Sequence, residues 1–117
     1  MEFIEYQKCS TCKKAKKFLE DNNIIFQSRE IKERTPTYDE LNNWIKKYNI
    51  DIKKLFNTSG LIYRNLQLKD KIDSMTEEEK LILLSNNAML IKRPILVNDN
   101  NILVGFNKKQ WEQTLKS

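Results

Sequence analysis

The chain has 117 residues, enough for one buried core and one domain. Apolar residues make up 39% and charged residues 32%, above the roughly 25% charge of ordinary soluble domains, so the expectation is a globular protein with a wet surface. The 21 basic and 16 acidic side chains leave a net charge of +5 that permits an acidic partner, but no basic-aromatic stripe points to direct nucleic-acid binding. The longest nearly uncharged stretch, Leu81 to Ile91, is short and broken by Ser85-Asn86-Asn87, which argues against a membrane span. An acid at position 2 and no apolar leader argue against a secretory signal, so a cytoplasmic location is expected.

In chain order, Glu2 to Tyr6 alternates around Phe3 and Ile4 and predicts a short strand. From Thr11 to Asp21 the apolar residues Cys12, Ala15, Phe18 and Leu19 fall on one helical face, opposite Lys13, Lys14, Lys16 and Lys17. Asn22-Asn23 ends that helix, and Ile24 to Ile31 predicts a second strand, completing a βαβ unit. Pro36 interrupts the chain. Thr37 with Glu40 forms a capping box before a Leu41, Trp44, Ile45, Tyr48 stripe. Asp51 to Asp73 predicts short helices around an Asn57-Thr58-Ser59-Gly60 turn. A second capping box, Thr76 with Glu79, precedes Leu81 to Leu84. The strand Ile95 to Val97 follows Pro94, a hairpin turn spans Asn98 to Asn101, and Ile102 to Val104 pairs back. Gly105 turns the chain into a last helix capped by Asn107, with Trp111 and Leu115 packing inward.

The order βαβ, helices, ββα is that of an α/β thioredoxin/glutaredoxin-like fold with a mixed four-stranded sheet. A single domain is expected, its core at about 1–35 and 88–117 and a helical insertion at about 36–87.

Both cysteines, Cys9 and Cys12, lie in YQKCSTCKK, between the first strand and the first helix. A structural zinc site needs four ligands, usually including further cysteine or histidine, and this chain has no other cysteine and no histidine, so no metal site is expected. A permanent disulfide is disfavoured by the reducing cytoplasm and by the short loop it would close. Two merely structural cysteines are the remaining alternative. The position at a helix start favours reactivity: unpaired N–H groups and the helix dipole stabilise a negative sulfur on Cys9. Cys12, one turn in and on the apolar face, suits a shielded resolving thiol that displaces a mixed disulfide on Cys9. Pro94 could be an ordinary strand-start proline or the proline that thioredoxin-like folds place beside the nucleophile.

Larger motifs carry a resemblance. Tyr6-Gln7-Lys8-Cys9-Ser10-Thr11-Cys12-Lys13-Lys14-Ala15, Lys54-Leu55-Phe56-Asn57-Thr58-Ser59-Gly60, Tyr63-Arg64, Met89-Leu90-Ile91-Lys92-Arg93-Pro94-Ile95 and Val104-Gly105-Phe106 together resemble the arsenate reductase (ArsC) and Spx family over nearly the whole chain. The chain is most similar to short ArsC-like/Spx-like members with a CxxC pair. The resemblance implies a cis bond at Pro94 and Cys9 as the attacking thiolate. It also implies Arg64 and Arg93 as arginines supporting that thiolate or an oxyanion, which suits the paired hydrogen bonds of guanidinium groups. A surface ion pair, for instance with Asp70, is the alternative for Arg64. The family's reductases carry a histidine shortly before the cysteine and a third arginine after the last strand; this chain has neither, reading Gly105-Phe106-Asn107 at the latter place. The implied activity is a monomeric thiol–disulfide oxidoreductase that needs no cofactor. Glutathione, glutaredoxin or thioredoxin would be its electron donor. Spx regulators share the second cysteine and imply the RNA polymerase α subunit as an alternative partner.

Overall fold

The computed structural model describes residues 1–116, which form two compact units. The first joins Met1–Glu30 to the segment from Arg93 onward; the second is Ile31–Lys92.

The first unit is built on four short strands: β1 (Glu2–Glu5), β2 (Gln27–Glu30), β3 (Ile95–Val97) and β4 (Ile102–Val104). Their order is β2-β1-β3-β4, with β1 parallel to β2 and antiparallel to β3, and β3 antiparallel to β4. This is the mixed sheet of the thioredoxin-like fold. Helices α1 (Ser10–Asp21) and α6 (Lys108–Leu115) also belong to this unit. Register puts Phe3 beside Leu96, and Leu96 beside Leu103, on one sheet face. There they pack with Ala15, Phe18 and Leu19 of α1 and with Trp111 of α6. Phe18, Phe106 and Trp111 meet edge-on or tilted at 5.0–6.3 Å between ring centres, a geometry that aligns ring edges with ring faces. The Trp111 indole donates to the Gly105 carbonyl at 3.0 Å, so even this fully buried polar atom is satisfied.

The first helix buries the four residues its periodicity singles out: Cys12, Ala15, Phe18 and Leu19. Its end differs from expectation in one respect. Asn23 takes a left-handed conformation (φ 56°) and Ile24 N donates to Leu19 O at 2.9 Å, a closure that uses residues 22 to 24 as a helix terminus. The second strand therefore begins at Gln27, three residues later than the apolar run Ile24-Ile25-Phe26 predicts. Ile24 and Phe26 still pack on the core, whereas Ile25 is 90% exposed.

The second unit is helical: α2 (Tyr38–Tyr48), α3 (Leu61–Asn65), α4 (Leu68–Lys71) and α5 (Glu77–Ser85), with short 3₁₀ turns between. Both predicted capping boxes form in full, the Thr37 and Thr76 hydroxyls accepting from Glu40 N and Glu79 N while the glutamates accept in return. Helix α2 lies against α5. Leu41 and Trp44 of the former and Leu81 and Leu84 of the latter are buried, while Ile82 faces water because a helix turns only one face inward. The two ends of the unit are tied by Asn57 N to Leu90 O and Lys92 N to Leu55 O, both 2.7 Å. In the predicted turn, Gly60 N donates to Asn57 O. A Cβ on Gly60 would stand 2.7 Å from the Asn57 amide nitrogen, so the turn closes too tightly for a larger residue without moving that side chain.

Candidate functional site

The chain leaves β1 at Glu5 and enters α1 at Ser10, so residues 6 to 9 make a tight connection. Two bonds hold it. Cys9 N donates to Tyr6 O at 3.0 Å, and Gln7 N donates to a Glu30 carboxylate oxygen at 3.1 Å. Cys9 has an extended backbone and is the N-cap of α1, its Sγ accepting the Cys12 N–H at 3.3 Å. A sulfur thus occupies the place where serine, threonine or aspartate usually satisfies an orphan N–H.

The two thiols live in different surroundings. Cys9 is half-buried and Cys12 has no exposed surface. Burial, first, pushes the Cys12 thiol up from its ordinary value of 9.0 to about 12. The hydrogen bond and charge of Cys9 push in the same direction, against the Tyr6 backbone and the Arg93 charge, which favour the thiolate. In the reduced protein Cys12 is therefore a neutral thiol at physiological pH.

Arg93 and Pro94 come from the other half of the same unit, just before β3. The Arg93–Pro94 bond is cis, as the family resemblance implies. The Pro94 carbonyl accepts from Gly105 N at 2.7 Å, and Gly105 holds φ 72°, a conformation open to glycine at little cost. The Arg93 guanidinium carbon lies 5.2 Å from the centre of the Tyr6 ring, and its charge acts on Cys12. Cys9, Cys12 and Arg93 thus share one end of the sheet unit. Arg64 is exposed on α3 in the helical unit, and among the described residues it forms no ion pair with Asp70.

Tyr6 is the participant to which sequence reasoning assigns no role, reading it as the end of a strand and the first residue of the motif that holds the cysteines. An aromatic residue three positions before Cys9 was the available signal. Among the described residues, no group of three or more His, Cys, Asp or Glu side chains is arranged to hold a metal ion, and no helix is long and apolar enough to cross a membrane. A cavity of about 480 Å³ lies between α1 and α6, floored by Phe18 and Phe106 and rimmed by Lys14, Lys17, Lys108 and Lys116; neither cysteine lines it.

The ArsC family profile matches residues 4–114. The chain belongs to the ArsC family. It is 44% identical to the protein YusI of Bacillus subtilis over 111 residues, covering 95% of this chain and 94% of that protein. It is 33% identical to the regulatory protein MgsR of the same organism, covering 90% and 82% of the two chains. Global transcriptional regulators named Spx match at lower identity. Among solved structures, an ArsC family related protein of Bacteroides fragilis superposes with a TM-score of 0.91 at 46% identity, covering 96% of this chain and 94% of that one. The fold and its CxxC pair are therefore those of an ArsC-like redox protein or an Spx-like regulator.

Proposed function

We propose that this ArsC family member is a thiol–disulfide oxidoreductase in which Cys9 is the nucleophile and Cys12 the resolving thiol. The observation that carries the reading is the asymmetry of the pair: a half-buried sulfur capping a helix, and a fully buried thiol one turn behind it. The Cys9 thiolate attacks one sulfur of a substrate disulfide, forming a mixed disulfide and expelling the other sulfur as a thiolate, which takes a proton from solvent. Cys12 then loses its proton to solvent and attacks Cys9 Sγ, forming the Cys9–Cys12 disulfide and releasing the second substrate thiolate. The timing follows from the causes of the Cys12 shift. Once Cys9 is in a mixed disulfide it carries no charge, so the Cys9 charge that held Cys12 protonated is removed while Arg93 still favours the thiolate. Cys12 therefore becomes easier to ionise when its attack is needed.

Arg93, beside the pair, supports the thiolate or an oxyanion on the substrate; for Arg64 the same role rests on the family resemblance alone. Pro94 flanks the site. A small thiol such as glutathione, or a thioredoxin- or glutaredoxin-type protein, returns the disulfide to two thiols, and no bound cofactor takes part. The protein works as a cytoplasmic monomer in this reading. In the decisive experiment the oxidised protein is treated with glutathione or thioredoxin, and turnover of a model disulfide is followed. Cys12→Ser should accumulate a mixed disulfide on Cys9, visible by mass spectrometry. Full turnover by Cys9→Ser would overturn the assignment.

The likeness to MgsR, a protein named as regulatory, favours a second reading. There the pair is a redox switch on a regulator that engages the RNA polymerase α subunit. Co-purification of that subunit with oxidised but not reduced protein supports it; no redox-dependent complex at micromolar protein sinks it.

A further inference from the structure

Tyr6 touches every part of the pair's surroundings. Its carbonyl accepts the Cys9 N–H, its backbone hydrogen-bonds the Cys12 sulfur, and its ring lies under the Arg93 guanidinium at 5.2 Å. Arginine has several rotatable bonds, and a guanidinium directed at random near the surface would give a docked anion little help. A ring face draws the cation electrostatically and fixes the plane of the fork. The backbone that carries the ring is held on both sides: the peptide after Tyr6 by Cys9 N to Tyr6 O and Gln7 N to Glu30, and Glu5 before it by its pairing with Glu30 in the sheet. Glu5, the acid next to Tyr6, is engaged by Lys16 at 3.3 Å. The Nε atom of Arg93 is buried, so the inner end of the guanidinium lies inside the protein and not in solvent.

We propose that Tyr6 is a positioning residue that holds the Arg93 guanidinium beside the CxxC turn and thereby makes Cys9 prefer electrophiles carrying a negative charge. This rests on the reading of Cys9 as nucleophile and Arg93 as its anion-supporting arginine. The substrates it selects have a carboxylate or another oxyanion close to the reacting sulfur or other electrophilic atom. In this role the Tyr6 ring acts through Arg93.

Two alkylating probes differing only in charge read the effect: iodoacetate and iodoacetamide, each forming a thioether on Cys9 with loss of iodide. The ratio of their rates, normalised to the same ratio for the urea-unfolded chain, isolates the electrostatic contribution from thiol reactivity. A positive charge roughly 5 Å from the probe carboxylate in water-like surroundings changes that ratio by about fourfold at low salt. The ratio should fall by about this factor in Arg93→Gln and by most of it in Tyr6→Leu. Tyr6→Phe, which keeps the ring, should retain the wild-type ratio. The double variant Tyr6→Leu/Arg93→Gln should fall no further than Arg93→Gln alone. If Tyr6→Leu does not fold, Tyr6→Gln takes its place. A ratio unchanged in Tyr6→Leu but lowered in Arg93→Gln overturns the positioning role and leaves the reading of Arg93 standing. A ratio unchanged in Arg93→Gln overturns both.

Discussion

Replacing Cys9 by serine leaves Cys12 as the sole thiol and keeps a side chain able to cap α1. In the native protein Cys12 titrates at about 12 instead of 9.0. At pH 8 an ordinary thiol of that reference value is about one-tenth ionised, whereas one at about 12 is ionised to about one part in ten thousand, a thousandfold deficit of the reactive form. Serine removes the charge of Cys9 from that balance, but burial, the leading cause, remains. Iodoacetamide should therefore label Cys12 of folded Cys9→Ser at least about a hundredfold more slowly than the same chain in urea. The rate should climb about tenfold per pH unit from 8 to 10 in the folded protein, while the unfolded chain levels off near its own titration point. Peptide-resolved mass spectrometry of quenched samples gives both rates. Labelling of folded Cys12 within about threefold of the unfolded rate at pH 8 would refute the reasoning.

The same shift predicts how stability depends on pH. Between about 9 and 12 the unfolded chain has lost the Cys12 proton and the folded chain has kept it, so stability conferred by Cys12 is complete below pH 9 and declines as pH rises. At pH 11 the loss amounts to about 3 kcal/mol, so the gap between wild type and Cys12→Ala in urea unfolding should narrow by that amount from pH 7; a gap that stays constant contradicts the shift. Trp111→Ala should lower unfolding free energy by about 3–5 kcal/mol, since it empties the contact with Phe18 and Phe106; denaturant melts showing under about 1.5 kcal/mol would place the core elsewhere. Thr37→Ala and Thr76→Ala each remove one capping hydroxyl and should cost about 1 kcal/mol apiece by the same measurement.

Local signals in the sequence proved readable where a few adjacent residues decide the structure. Thr37 with Glu40 and Thr76 with Glu79 mark helix starts because both partners of each box lie within one turn. The buried face of α1 follows from its period, which turns Cys12 inward, while Cys9 stands before that period as the N-cap. The beginning of β2 was less legible. Ile24-Ile25-Phe26 has the composition of a strand, but the left-handed Asn23 and the Ile24-to-Leu19 bond draw those residues into the end of the preceding helix. Tyr6 illustrates a different difficulty: its ring partner is Arg93, far along the chain, and no local pattern reports a contact that only the β1–β3 pairing brings about. In Leu81 to Leu84 the sequence alone does not say which residues turn inward: Leu81 and Leu84 are buried and Ile82 is exposed, because four consecutive apolar residues exceed what one helical face can cover.

The sulfur that caps α1 has a consequence for how the protein's chemical state can be followed. A serine cap has one chemical form, but the acceptor for the Cys12 amide is an atom whose bonding changes during the proposed cycle. A thiolate accepts that N–H strongly, a thiol weakly, and a sulfur bonded to carbon or to another sulfur more weakly still. The first turn of α1 is thus wired to covalent events at its own cap. Amide hydrogen exchange at Cys12 should slow when Cys9 is ionised and quicken when it is alkylated, with Lys13 N, bonded to the Cys9 carbonyl at 3.2 Å, as a neighbouring reference. One backbone proton would then report the condition of the nucleophile without a substrate, a dye or a mutation.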